Sequence, residues 1–255
     1  MYFRNTAFKR VSVFFILSFT SFLVFSAESS WIKSRFINHV YLGLSVIKDT
    51  ANYNFKRNEV SPAINFIDFD HFAWNGSGVG GEIYLGYDNL FLQHFYLGVE
   101  GFYDRSANSG NIYFLDTNTQ YTRALNGKFK QKWQSGIVIR PGISIASTGI
   151  LFARVGWIVS EISLGGSITQ SGSVGSFSGQ FSTNKKKEGI QLGAGMELKL
   201  VKGLRGRLEW DWNRLQSYSF NSNGKDSNKH SYATFRIAKH PILEQFKIGL
   251  NWRFG

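Results

Sequence analysis

Apolar and polar residues alternate along eight separated stretches of the chain. In residues 40–46 (VYLGLSV), Val40, Leu42, Leu44 and Val46 fall on one side, and Tyr41, Gly43 and Ser45 on the other. The same period of two runs through residues 79–87, 95–104, 133–144, 151–160, 190–200, 204–212 and 246–254. Successive side chains of a β-strand point to opposite faces, so this period predicts strands and not helices. Each stretch is close to the ~9–11 residues that a tilted strand needs to cross a bilayer.

The connections alternate as well. Short ones are expected at 88–94, 145–150 and 201–203, and long polar ones at 48–77, 105–132, 161–189 and 213–245. Short turns at one end and long loops at the other is the layout of a membrane barrel. The predicted fold is therefore all-β: an eight-stranded antiparallel transmembrane β-barrel with four long outer loops and short periplasmic turns. A soluble sandwich would hide the apolar face and show the polar one to water.

The polar face carries glycines and charges of both signs. The alternation places six acids there (Glu82, Glu100, Asp104, Glu197, Glu209, Asp211) and seven bases (Arg140, Arg154, Lys199, Arg205, Arg207, Lys247, Arg253). Near balance suits an enclosed lumen, where an unpaired charge is costly. Glycines on the same face, such as Gly43, Gly86, Gly98 and Gly193, are expected to leave room for long Arg and Glu side chains. Glu82, Glu100, Arg140, Arg154, Glu197, Arg207 and Glu209 are the candidate lumen ladder. It reads either as a structural plug or as a gated ion path, and an eight-stranded bore is just wide enough for side chains to fill.

The N-terminal stretch departs from this pattern. Arg4, Lys9 and Arg10 precede an apolar run over residues 11–25, with small residues at Ser26 and Ala27. That run is short for a spanning helix and reads as a secretory signal peptide, residues 1–27, ahead of one barrel domain, residues 28–255. The chain has 29 Lys+Arg against 17 Asp+Glu, a formal +12, which becomes +9 without the segment. It has no cysteine, so neither a disulfide nor a thiolate metal site is available.

The last strand explains the aromatic content of its own end. In KIGLNWRFG, residues 247–255, Trp252 and Phe254 are suited to a membrane interface. Lys247, Gly249, Trp252 and Phe254 also resemble the C-terminal signal read by the barrel-assembly machinery, with Gly255 as an extra residue. VYLGLSV, YLGVEGFYD, SGIVIRPGISI, LFARVGW, GAGMELKL and LEWDW resemble the strands of small opacity-type outer-membrane barrels, relatives of the transmembrane domain of outer membrane protein A. That resemblance implies an eight-stranded barrel in a Gram-negative outer membrane with a charged, plugged interior.

Candidate chemistry is sparse. His230 and Ser231 are adjacent, so on a strand they point to opposite faces. Asp68, Asp70 and His71 lie among Phe66, Ile67, Phe69 and Phe72, a pattern that reads as a folded hairpin. His39 precedes the first strand, His94 sits at a turn and His240 lies in a long loop. Nothing converges as nucleophile, base and orienter must. The expectation is no enzyme, no cofactor and no metal.

Lys185, Lys186 and Lys187, with Arg123, Lys128, Lys130 and Lys132, give the outer rim positive charge. This suits lipopolysaccharide phosphates or an acidic host or envelope surface. Nucleic acid does not fit this compartment. The expected function is a non-enzymatic outer-membrane protein for envelope structure and surface interaction, with a narrow pore for small ions or solutes as the second reading.

Overall fold

The computed structural model describes residues 37–254 apart from 62–65, 92–93, 118, 120, 146–147, 174–175, 218–223, 227–230 and 233–239; within the first hairpin, only the backbone is described over 53–74. The expected signal peptide and Gly255 lie outside the described residues.

The described chain is strand almost throughout. β1 (Ile37–Ser61), β2 (Phe66–Phe91), β3 (Phe95–Ser106), β4 (Ser109–Thr117), β5 (Tyr121–Ile145), β6 (Gly149–Gly172), β7 (Phe177–Val201) and β8 (Leu204–Leu215) are followed by β9 (Gly224–Asp226), β10 (Ser231–Tyr232) and β11 (Ile242–Phe254). Each strand pairs antiparallel with its neighbours in the order β7-β6-β5-β3-β2-β1-β11-β8, and β8 pairs back onto β7. The ring is closed and has eight walls. Following the register once around from Ile158 on β6 returns to Thr148, the residue just before that strand and ten positions earlier. Such a stagger tilts the strands by about 35–45° from the barrel axis.

The two faces divide as the alternation predicts. Leu44, Val46, Leu85, Ile137, Val155, Trp157, Ile190, Ile248 and Leu250 are each 50–63% exposed on the outer wall. Tyr41, Tyr84, Glu100, Arg140, Arg154, Glu197 and Arg207 are buried inside. A broad belt of exposed aliphatic side chains around a charged interior inverts the arrangement of a water-soluble protein and matches a wall that faces lipid.

The three short turns stand close to where the pattern places them. His94 N–H donates to the Phe91 carbonyl across the first. The third closes through Gly203, whose φ of +80° lies in the left-handed region that favours glycine.

The long connections differ from expectation. β1 and β2 continue as a hairpin far beyond the apolar belt, leaving only 62–65 between them. β4, β5, β6 and β7 likewise extend outward as one sheet, with Ile112, Leu125, Phe129, Ile162 and Leu164 buried on its inner side. These segments are rich in Ser, Gly, Thr and Asn, which hides strands from a hydrophobic pattern. Backbone pairing and one inward apolar row are enough to build them. Phe66 opens β2, so the segment holding Asp68, Asp70 and His71 is a hairpin strand as expected.

Three lumen assignments change. Lys199 is exposed, because β7 outruns its neighbour near a register shift at Lys199/Val201. Asp49 and Asp88, expected in connections, are buried. Among the described residues the interior is therefore not balanced: eight acids (Asp49, Glu82, Asp88, Glu100, Asp104, Glu197, Glu209, Asp211) face four fully buried bases and the partly buried Arg205 and Arg253.

The inner glycines do not chiefly make room for arginine. Gly43 faces Tyr84 and Gly86 faces Tyr41 in the β1–β2 register, and a Cβ on either glycine would fall 2.2 Å from the facing ring. Each tyrosine lies over the glycine opposite it, a reciprocal pair that fills the bore with rings.

Candidate functional site

Inside the ring the charged side chains form one continuous network. Its centre is Glu100 on β3. Arg207 on β8 grips it with two prongs, Nη1 to Oε2 at 2.6 Å and Nη2 to Oε1 at 2.9 Å. Arg154 Nη2 donates to Oε1 at 3.0 Å and Arg140 Nη1 to Oε2 at 3.3 Å. The Tyr41 hydroxyl donates to Oε2 at 3.0 Å while accepting from Arg140 Nη1 at 2.6 Å. Three guanidinium groups and a phenol thus converge on one buried carboxylate.

The network runs both ways from that centre. Toward the short turns, Arg140 Nη2 reaches Glu197 at 2.6 Å, Glu197 accepts from Arg253 at 3.0 Å, and Arg253 binds Asp88 at 2.7 Å. Toward the outside, Arg154 Nη1 holds Glu209 at 2.7 Å and Asp211 at 2.9 Å, and Arg207 also pairs with Glu209. Lys247 bridges Asp211, at 3.0 Å, to Glu82. All seven residues of the sequence-derived ladder meet here, joined by Tyr41, Asp88, Asp211, Lys247 and Arg253. Rings cover the cations: the guanidinium carbon of Arg140 lies 3.8 Å from the Phe152 centroid, and that of Arg207 lies 4.1 Å from the Tyr84 centroid.

The inner row changes character outward along β8, β11 and β5. On β8 it reads Arg207, Glu209, Asp211, then Asn213, then Leu215; on β11, Lys247, then Gln245, then Leu243. On β5, Arg140 is followed outward by Val138, then by Gln134 and Gln131, and then by Phe129 and Leu125. The ion-paired plug is thus overlaid by an amide layer and the amide layer by apolar side chains. In the amide layer, Gln245 Nε2 donates to both Asp49 Oδ1, at 2.8 Å, and Asp104 Oδ2, at 3.2 Å. Ser106 binds the other oxygen of Asp49. Among the described residues no cation touches either aspartate.

A second cluster stands on the outer wall at the upper edge of the belt. A bulge between Gln131 and Trp133 puts Lys132 and Trp133 on the same side. Trp133 Nε1–H donates to Glu161 at 2.8 Å, and Lys132 Nζ pairs with the same carboxylate at 3.1 Å. These two hydrogen bonds, Lys132 first, hold the Glu161 carboxyl below the usual carboxylate range. The Lys186 ammonium sits 5.6 Å over the indole, and Tyr103 stacks on that ring at 6.2 Å. Of the basic run, Lys185 and Lys186 are exposed and Lys187 is half-buried. The side chain of Arg123 lies outside the described residues.

Sequence reasoning missed the contributions of Tyr41, Asp49 and Asp88, which depend on cross-strand register. Lys247, Gly249, Trp252 and Phe254 all lie on β11, with Lys247 and Gly249 inward and the two aromatics outward. The Nδ1 of His240 bonds the Leu215 carbonyl at 3.2 Å, and His94 lies in a turn. His39 is in β1, Ser231 is in β10, and His230 lies outside the described residues.

No family model matches the chain, and no curated protein matches it. Solved structures do. Ail, the attachment invasion locus protein of Yersinia pestis, solved in complex with the heparin analogue sucrose octasulfate, is 12% identical over 83% of this chain and 99% of its own, with a TM-score of 0.36. The outer membrane protease OmpT from Escherichia coli is 10% identical over 89% of this chain and 100% of its own, at 0.46. Neisserial surface protein A is 8% identical over 84% and 97%, at 0.39. At such identities no function carries over.

Proposed function

We propose that the chain is a closed outer-membrane barrel without chemistry of its own, which anchors four outer connections for envelope structure and surface interaction. The observation that carries the closed state is Glu100, clamped by Arg140, Arg154 and Arg207 across the full width of the bore. Above it, Phe129, Ile162 and Leu164 add an apolar layer that disfavours a file of water. Export by the N-terminal segment, insertion through the aromatic-ended β11, and contact of Lys185, Lys186 and Lys187 with lipopolysaccharide belong to the same reading.

A pore is the second reading. It is favoured by Asp49 and Asp104, which no cation touches among the described residues and which would attract cations within the bore. Neutralising Arg140 or Arg207 would then change conductance.

Orientation and exposure are tested by labelling, since the chain has no native cysteine. Tyr113→Cys, on the outer hairpins, is expected to react with a membrane-impermeant maleimide on intact cells. Lys202→Cys, in a short turn, is expected to react only after the envelope is opened. The reverse pattern, or no reaction of either in a folded protein, overturns the reading.

A further inference from the structure

The outer-wall cluster around Trp133 has the form of a receptor for a phosphate. Trp133, Glu161 and Lys186 occupy one register row across β5, β6 and β7. The next row outward is Lys130, Ser163 and Asn184. Further inward, the row Ile137, Trp157 and Ile190 belongs to the apolar belt, each residue 50–60% exposed. Between them lies the row Ser135, Val159 and Glu188, so the basic groups stand two rows above a strip of wall fit for acyl chains.

The basic groups are also positioned. Glu161 is committed to Lys132 and the Trp133 indole, and that pairing fixes the ring. The ring, stacked on Tyr103, carries Lys186 over its face. Among the described residues, neither Lys130 nor Lys186 has a carboxylate within ion-pair distance. Glu188 is a further acid on this wall. Against it and Glu161 stand Lys128, Lys130, Lys132 and Lys186, which leaves positive charge in excess.

We propose that this patch binds a phosphorylated lipid headgroup of the outer leaflet, with Lys130 and Lys186 as direct phosphate donors and Trp133 and Glu161 as positioning residues. The proposal rests on the barrel reading above and deepens it. It moves the contact from the linear run of three lysines to a site drawn from two strands. Ammonium groups bind phosphate as point charges without a fixed fork, which suits a headgroup held mainly by its acyl chains.

The test uses refolded protein in detergent, whose folding is read first by heat-dependent gel mobility. Native mass spectrometry then compares bis-phosphorylated lipid A with the same lipid stripped of phosphate. The wild type is expected to favour the phosphorylated form about tenfold, roughly the effect of two charge-assisted contacts at a half-exposed site. The double variant Lys130→Gln/Lys186→Gln is expected to lose that preference at unchanged gel mobility, and Trp133→Phe to weaken it. Lys202→Gln, on the other rim, is expected to keep it. Equal binding of both lipids by the wild type, or full preference in the double variant, overturns the site. Displacement of the lipid by millimolar inorganic phosphate overturns a lipid headgroup as the occupant. Protein that never reaches the heat-shifted folded band counts against the barrel reading instead.

Discussion

Arg207 and Glu100 face each other from opposite walls of the ring, four strands apart in either direction, and are joined by two parallel hydrogen bonds of 2.6 and 2.9 Å. A bidentate pair that spans the bore is a cross-brace as well as a plug. Neither end is exposed, so removing one partner strands a buried charge.

Glu100→Gln leaves Arg207, Arg154 and Arg140 without their shared anion. Breaking a buried ion pair from one side costs about 3–5 kcal/mol. The expected result is a folded barrel whose melting on heat-dependent gel mobility falls clearly below wild type. An unchanged midpoint would mean that the network does not brace the walls.

Asp104→Asn is expected to act in the opposite direction. Asp104 shares one amide with Asp49, no cation touches either among the described residues, and Asp104 Oδ1 lacks a partner. An uncharged amide of the same shape removes a buried like-charge neighbour. Stability at neutral pH should stay equal or rise by about 1 kcal/mol. A loss as large as that of Glu100→Gln would show that Asp104 is held by a cation.

Gly43→Ala brings a Cβ to 2.2 Å from the Tyr84 ring, which cannot withdraw into the filled bore. Overpacking of this kind costs about 1–3 kcal/mol. Gly101, whose added Cβ meets nothing within 4 Å, is the control, and Gly101→Ala should be neutral. Equal melting of the two variants would contradict the ring-over-glycine packing.

Glu161 gives a pH signature at the rim. Its carboxyl is held low by hydrogen bonds from Lys132 and Trp133. A depressed group contributes stability at pH values above its unfolded pKa and loses it as pH falls through the folded one. The Trp133 indole N–H resonance should therefore hold steady through the usual carboxylate range near pH ~4.3 and shift only below it. A midpoint at the ordinary glutamate value would mean that the contact is not formed.

The membrane portion was readable because lipid on one side and a filled bore on the other impose a strict period of two. Leu44 and Tyr41, or Ile137 and Arg140, declare their faces without any neighbour. What was not readable depends on pairing. Tyr84 gives no sign in sequence that it lies over Gly43, nor Asp49 that a strand runs on past the belt to bury it. The outer hairpins were read as loops because Ser, Gly and Asn dominate them, although Phe129, Ile162 and Leu164 carry a buried row. The bulge that places Lys132 beside Trp133 is a single extra residue that alternation alone does not locate.

The central claim is a bore closed by the Glu100 clamp and its apolar cover. Single-channel recording of the refolded protein in a planar bilayer tests it most directly, with folding confirmed by heat-dependent mobility. The account predicts no stable openings for the wild type. Reproducible unitary conductance from folded wild-type protein, altered by neutralising Arg207, would contradict it and make the chain a pore.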